Sequence, residues 1–177
     1  MTSSAIRLVD PCGATGTIGR IVNAPFGTLA GKRIGVLDNG KTNALLLMTE
    51  MAHLLAARSG ATVGTIISKR TAAEPCEEPT MTAVLAGADV VLTGSADCGS
   101  CTSWSIFDVD QIEREGKLSI GITTTAFEGL SRQVAATLGL SSARLCAVAH
   151  PLGGIDDDAV RALASSAVEE LLRLVTT

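Results

Sequence analysis

The feature that most constrains this chain is an alternation: short, near-continuous apolar runs take turns with longer stretches whose apolar residues recur at helical spacing. Residues 32–40 read as a strand ending in polar turn formers. Residues 44–58 read as a helix, because Leu46, Leu47, Met51, Leu54 and Leu55 form one apolar stripe and Ser59-Gly60 ends it. The same grammar predicts strands over 61–68, 89–93, 118–123 and 144–149, with helices over 77–86, about 102–115, 126–138 and about 156–174. Strands apolar on both sides need cover on both sides, and right-handed crossovers join parallel neighbours. The expected fold is therefore α/β: a single doubly wound, flavodoxin-like three-layer domain around a five-stranded, mainly parallel sheet of order 2-1-3-4-5. Thr125-Ala-Phe-Glu128 has a capping-box pattern, Asp156-Asp-Asp puts negative charge at a helix start, and Gly116 and Gly139 follow two expected helix ends.

Residues 1–31 are too dense in turn formers for long regular structure and read as an irregular N-terminal arm with a short strand over 5–9, leaving 32–177 as the α/β domain. A chain of 177 residues fits one domain that buries about 70% of its unfolded surface, so no disulfide staples are needed. Mean hydropathy is +0.37, yet no apolar run approaches the ~20 residues that cross a bilayer, and the N-terminus lacks the pattern of a signal peptide. A cytoplasmic protein is expected, with no membrane partner. The net charge of -4 and scattered basic residues argue against nucleic acid. Five cysteines, an odd number where structural disulfides are rare, imply free thiols.

Ligands of such sheets sit beyond the carboxyl ends of the strands. The loops concerned are 38–43, 68–71, 95–101, 123–127 and 150–154, and three of the four aromatics, Trp104, Phe107 and Phe127, lie in or just after them. For Phe107 helix core is the stronger reading. Asp38, Asn39, Lys41, Asn43, Ser100, Thr102, Trp104, Thr124 and Phe127 are the candidate substrate-binding residues. Asp38 and Lys41 form an ion pair at the strand end, or orient and bind a carboxylate-bearing substrate; both readings stay open. Cys98-Gly-Ser-Cys101 falls at an expected helix N-terminus, where free N–H groups and the macrodipole favour a thiolate. The spacing lets one thiol attack an adduct on the other, which makes Cys98 the nucleophile and Cys101 the resolving or assisting thiol. Asp97 disfavours a second anion beside it, or moves protons for thiol or substrate; His150, after the last strand, is a second acid–base candidate. His53 reads as structural, Cys146 as core, and Cys12 and Cys76 as incidental.

A CxxC is also half of a zinc site, but no second CxxC or HxxxH follows, and Cys12, Cys146 and His150 could complete one only through the fold, so no metal is expected. Polar neighbours on both thiols speak against two inert core cysteines. The glycines of 13–19 and 31–35 lack the spacing of a nucleotide phosphate loop, and no bound cofactor is expected.

The run Thr93-Gly-Ser-Ala-Asp-Cys-Gly-Ser-Cys-Thr-Ser-Trp-Ser resembles the signature of the UGSC family, named for a selenocysteine-Gly-Ser-Cys motif in which cysteine often replaces selenocysteine. The likeness extends to Leu8-Val-Asp-Pro, Ala24-Pro-Phe, the run from Gly31 through Asp38-Asn-Gly-Lys-Thr-Asn-Ala, and Gly121-Ile-Thr-Thr-Thr-Ala-Phe, over roughly residues 8–155. It implies that Cys98 stands where selenocysteine would be and Cys101 is the paired cysteine, which favours thiol chemistry. The family is itself similar to the selenoprotein component of glycine and betaine reductases. Where the family would carry a His-Asp pair after the motif, this chain has Phe107-Asp108, leaving Asp97 and His150 as acid–base candidates.

Three functions are weighed. The first is a thiol-dependent, oxidoreductase-like enzyme in which Cys98 attacks a small polar electrophile and an external thiol reductant restores the pair. The second is redox-neutral covalent cysteine catalysis of a lyase, hydrolase or isomerase step, with Asp97 or His150 moving protons. The third is a non-catalytic subunit or binding module. A homodimer or a partner subunit is left open for all three.

Overall fold

The computed structural model describes residues 22–176. In chain order it contains β1 (Arg33–Asp38), α1 (Ala44–Ser59), β2 (Thr62–Ser68), α2 (Glu78–Ala86), β3 (Val90–Ala96), α3 (Gly99–Arg114), β4 (Leu118–Thr124), α4 (Glu128–Thr137), β5 (Leu145–Val148) and α5 (Asp157–Thr176). All four strand pairings are parallel and the sheet order is β2-β1-β3-β4-β5. This is the expected doubly wound, flavodoxin-like α/β domain. The expected strand over 5–9, Cys12, the glycines of 13–19 and the Leu8-Val-Asp-Pro run lie outside the described residues.

Alternation along the strands divides the core. Ile34 and Val36, Val90 and Leu92, Leu118, Ile120 and Ile122, and Cys146 and Val148 pack with α1 and α5 in one cluster. Leu37 and Val91 meet α2 and α3 across the opposite face, and Leu145 meets α3 and α4 there. A sheet buried on both faces needs apolar residues of both parities, which is why these strands read as continuous rather than alternating. Among the described residues no helix is long and apolar enough to cross a membrane.

Residues 22–31 are bound to the domain. Val22 joins the α3–α4 cluster and Leu29 the larger core. Asn23 donates to Glu113 O at 2.8 Å, Glu113 Oε2 at 2.9 Å and Lys117 O at 3.0 Å, and its own carbonyl accepts from Arg144 Nη2 at 2.6 Å. Glu113 also accepts from Ser119 N and Oγ and faces Arg144 Nη1 at 3.5 Å, so a nearly buried carboxylate and guanidinium close the amino end of the sheet.

Three local expectations change. β3 continues to Ala96 instead of ending at 93, and α3 starts at Gly99 instead of about 102, leaving Asp97 and Cys98 as the connection. The capping box at 125–128 does not form. Thr125 N–H bonds Val148 O at 2.8 Å, prolonging the β4–β5 ladder, and Phe127 N–H closes a turn onto Thr124 O, so α4 begins at Glu128. The expected acidic start of α5 is present, with Asp156 Oδ1 accepting from Ala159 N at 2.9 Å.

Candidate active site

The site forms where β1 and β3 end side by side, with Asp38 paired to Gly94 in register. A Cβ on Gly94 would lie 2.6 Å from Ile122 O, so only glycine lets β3 approach β4 this closely. The β3–β4 register then shifts between Gly94 and Ala96, a bulge that re-aims the chain beside the site. Asn39 fastens that bulge: its N–H bonds Gly94 O at 2.9 Å, and its amide nitrogen donates to Ser95 O at 2.9 Å and Ser105 Oγ at 3.2 Å.

The chain then enters α3 with Cys98 as N-cap in extended conformation. Cys98 Sγ accepts from Cys101 N at 3.4 Å, while Cys101 Sγ accepts from Cys98 N at 3.1 Å and Asp97 N at 3.4 Å. Two thiols thus make the reciprocal cap that Ser and Glu make elsewhere, satisfying amides that α3 would leave without partners. Thr102 Oγ1 donates to Cys98 O at 2.5 Å and steadies the turn. The two sulfurs lie 2.7 Å apart, beyond the roughly 2.05 Å of a disulfide, and both are free thiols.

The pair is asymmetric. Cys98 is half-buried, whereas Cys101 is 1% exposed. Partial burial opposes ionisation of Cys98, but hydrogen bonds from the Cys101 side chain and N–H, from Ser100, and the charge of Lys41 outweigh it and hold the Cys98 thiol below its ordinary value. Burial, the bond to Cys98 and the charge of Asp97 push the Cys101 thiol up to about 12. Asp97 links the two sides of the site: its Oδ1 accepts from Cys101 Sγ at 3.3 Å and pairs with Lys41 Nζ at 3.3 Å. The Lys41 ammonium is itself held above its usual range, with desolvation opposing and Asp97 prevailing.

His150 is exposed, with Nδ1 3.2 Å from Thr124 Oγ1, and Thr124 in turn reaches Ala96 O at 3.5 Å. The Phe127 ring tilts against the imidazole with centroids 5.9 Å apart. His150, Thr124 and Phe127 therefore form one wall that touches the cysteine turn through the end of β3. Ser100 is exposed, with its Oγ 3.9 Å from Cys98 Sγ. Trp104, half-buried on α3, meets Phe107 edge-on at 5.8 Å.

Other candidates serve the frame. Asn43 donates to Leu152 O at 2.9 Å and Ile155 O at 3.0 Å, tying α1 to the β5–α5 loop. Asn39 and Thr102 are buried with their polar groups engaged as described. The ion pair that Lys41 makes is with Asp97 and not with Asp38, because Asp38 is buried beneath the turn, where Oδ2 accepts from Ser68 Oγ at 2.7 Å and Oδ1 has no partner. Asp97, Cys98 and Cys101 bring their donor atoms within 4.8 Å of one another, one short of the four ligands of a structural zinc site, and an ammonium already occupies the Asp97 carboxylate.

Sequence reasoning missed the buried ion pair of Lys69 with Asp108, whose Oδ1 also accepts from Cys76 N at 2.8 Å. The available signal was position 108, which falls on the buried stripe of α3 with Cys101, Ser105 and Ile112 and so requires a partner for its charge. Cys76 and Cys146 are buried, and desolvation raises both thiols to about 12, which leaves them inert. His53 is exposed on α1.

The UGSC family model matches residues 7–177. Among solved structures, a flavodoxin from Streptococcus pneumonia TIGR4 is similar, with 12% identity, 78% of this chain and 98% of that chain covered, and a TM-score of 0.44. The comparison with curated proteins gives no match.

Proposed function

The chain belongs to the UGSC family, and from that premise we propose that it is a cysteine-dependent, oxidoreductase-like enzyme in which the Cys98 thiolate attacks a small polar electrophile and Cys101 resolves the adduct. The observation that carries this reading is the asymmetry of two touching sulfurs: Cys98 half-buried, with its thiol held down, and Cys101 buried beneath it, with its thiol pushed up to about 12. An accessible thiolate attacks, and a protonated thiol beneath it stays out of reaction until an adduct has formed. In the first step the Cys98 sulfur pair forms a bond to the electrophilic atom of the substrate and a leaving group departs with its own pair. In the second, Cys101 attacks Cys98 Sγ, the bound fragment leaves with the bonding electrons, and the two cysteines are oxidised to a disulfide. An external thiol of the cytoplasm then reduces the pair by exchange.

A redox-neutral cycle is the second reading, favoured by the Asp97–Lys41 pair beside the thiols and by the histidine on Thr124. It would leave no disulfide and run without reductant. Intact mass after exposure to a panel of small electrophiles tests both. A covalent adduct trapped on Cys101→Ser and absent from Cys98→Ser is expected, with the parent ending two hydrogen atoms lighter as the Cys98–Cys101 disulfide; a parent that turns over and keeps both thiols reduced favours the redox-neutral reading. Unmodified parent across the panel, or labelling that survives in Cys98→Ser, removes Cys98 as nucleophile.

A further inference from the structure

We propose that Asp97 is the base that takes the proton from Cys101 as it resolves a Cys98 adduct, with Lys41 as the positioning residue that holds the carboxylate. The proposal rests on the thiol reading above and assigns the one proton transfer that reading requires.

Cys101 is 1% exposed, so bulk water and buffer bases do not reach its thiol. Its proton has two side-chain acceptors, Cys98 Sγ at 2.7 Å and Asp97 Oδ1 at 3.3 Å. While Cys98 is a thiolate, its sulfur is the anionic neighbour that the proton serves. Once that sulfur carries a substrate fragment it is neutral and a poor acceptor, and Asp97 Oδ1 is the anion left within reach. The same oxygen lies 3.3 Å from Lys41 Nζ, and the Asp97 side chain is 11% exposed, so the carboxylate is fixed on its target.

Charge favours this route. Moving the proton from sulfur to Oδ1 converts a thiol beside a carboxylate into a thiolate beside a carboxylic acid, so no additional charge is created in a buried place. The titratable groups facing Asp97 are Lys41 from the β1–α1 turn, Cys98 at the N-cap of α3 and Cys101 in its first turn. On the β4–β5 side, His150 is turned to Thr124. In the step itself the Cys101 S–H bond breaks, Oδ1 gains the proton, the sulfur pair forms the bond to Cys98 Sγ, and the fragment leaves with the electrons of its bond to Cys98. Asp97 then returns the proton to the departing group or to water.

An aromatic disulfide, 5,5′-dithiobis(2-nitrobenzoate), separates the two events. Attack by Cys98 releases one thionitrobenzoate, and attack by Cys101 on the mixed disulfide releases the second. Asp97→Asn is expected to leave the first release within about threefold of the parent and to slow the second by ~10²-fold, the range of a lost general base. The parent's second release should vary little across the neutral range. In Asp97→Asn it should climb about tenfold per pH unit, because only preformed Cys101 thiolate can then react. Asp97→Glu should regain part of the rate and the flat profile. Lys41→Met should slow the second release in the parent and not in the Asp97→Asn background if it acts through the carboxylate. Equal slowing of both releases by Asp97→Asn, or a second release that keeps the parent's pH profile, overturns the proposal. A first release that is missing from the parent, or that survives in Cys98→Ser with Cys12 also replaced by Ser, overturns instead the thiol reading beneath it.

Discussion

At Cys98 one side chain serves as the cap of α3 and stands as the nucleophile proposed above. Its sulfur accepts from the amide of Cys101, and the same hydrogen bond that satisfies the helix favours the anion. Lys41 adds a second favourable charge through space. Lys41→Met should therefore move the midpoint of Cys98 alkylation, read by iodoacetamide labelling against pH, upward from the parent's value. An unchanged midpoint would mean that the hydrogen bonds from Cys101 and Ser100 set the thiolate without Lys41. That Cys98 and Cys101 meet at a helix N-terminus was legible from the motif, since a CxxC between an apolar run and a helical stretch brings its two thiols together in the first turn. Which carboxylate Lys41 meets was not legible. Asp38 is nearer in sequence, but strand pairing drives it beneath the turn toward Ser68, whereas Asp97 arrives from β3 by way of the bulge.

At the scale of elements, α3 depends on that cap. Cys98→Ser keeps an acceptor at the N-cap and should leave the melting temperature within about 2 °C of the parent. Cys98→Ala removes the acceptor and should lower it by roughly 2–4 °C, about 1 kcal/mol in a chain of this size. Equal melting temperatures for the two variants would show that Cys98 does not hold the helix. The order and kind of every element from β1 to α5 followed from apolar runs and helical stripes, because both sheet faces are covered. Ends were harder to read where tertiary bonds compete with local signals. Thr125 looked like a cap, yet its N–H is taken by β5, and Gly94-Ser95-Ala96 looked like a loop, yet it continues as bulged strand.

Over the whole molecule, the buried thiols give stability a direction with pH. Cys76, Cys101 and Cys146 are each raised to about 12 in the fold, and an unfolded thiol ionises near ~8.5. Between those values the folded chain binds more protons than the unfolded one, so stability is present in full below ~8.5 and falls as pH rises toward about 12. Cys98, shifted the other way, favours the fold once pH exceeds its unfolded value and loses that contribution as pH falls through its lower folded value. Three groups against one give a net decline, and urea midpoints should drop between pH ~9 and ~11 with a shallower slope in Cys146→Val. A flat profile would mean that the buried thiols ionise in place. At the opposite end of the sheet the Glu113–Arg144 pair is nearly buried. Arg144→Ala leaves the carboxylate without its cation and should cost about 3–5 kcal/mol, read as a lower urea midpoint. An unchanged midpoint would mean that Asn23 and Ser119 suffice for Glu113. The reciprocal thiol cap has a last consequence. Because Cys98 Sγ also holds the first turn of α3, a substituent on it takes an acceptor away from the backbone, and on the mechanism proposed above each turnover would fray and rewind the helix at the mouth of the site.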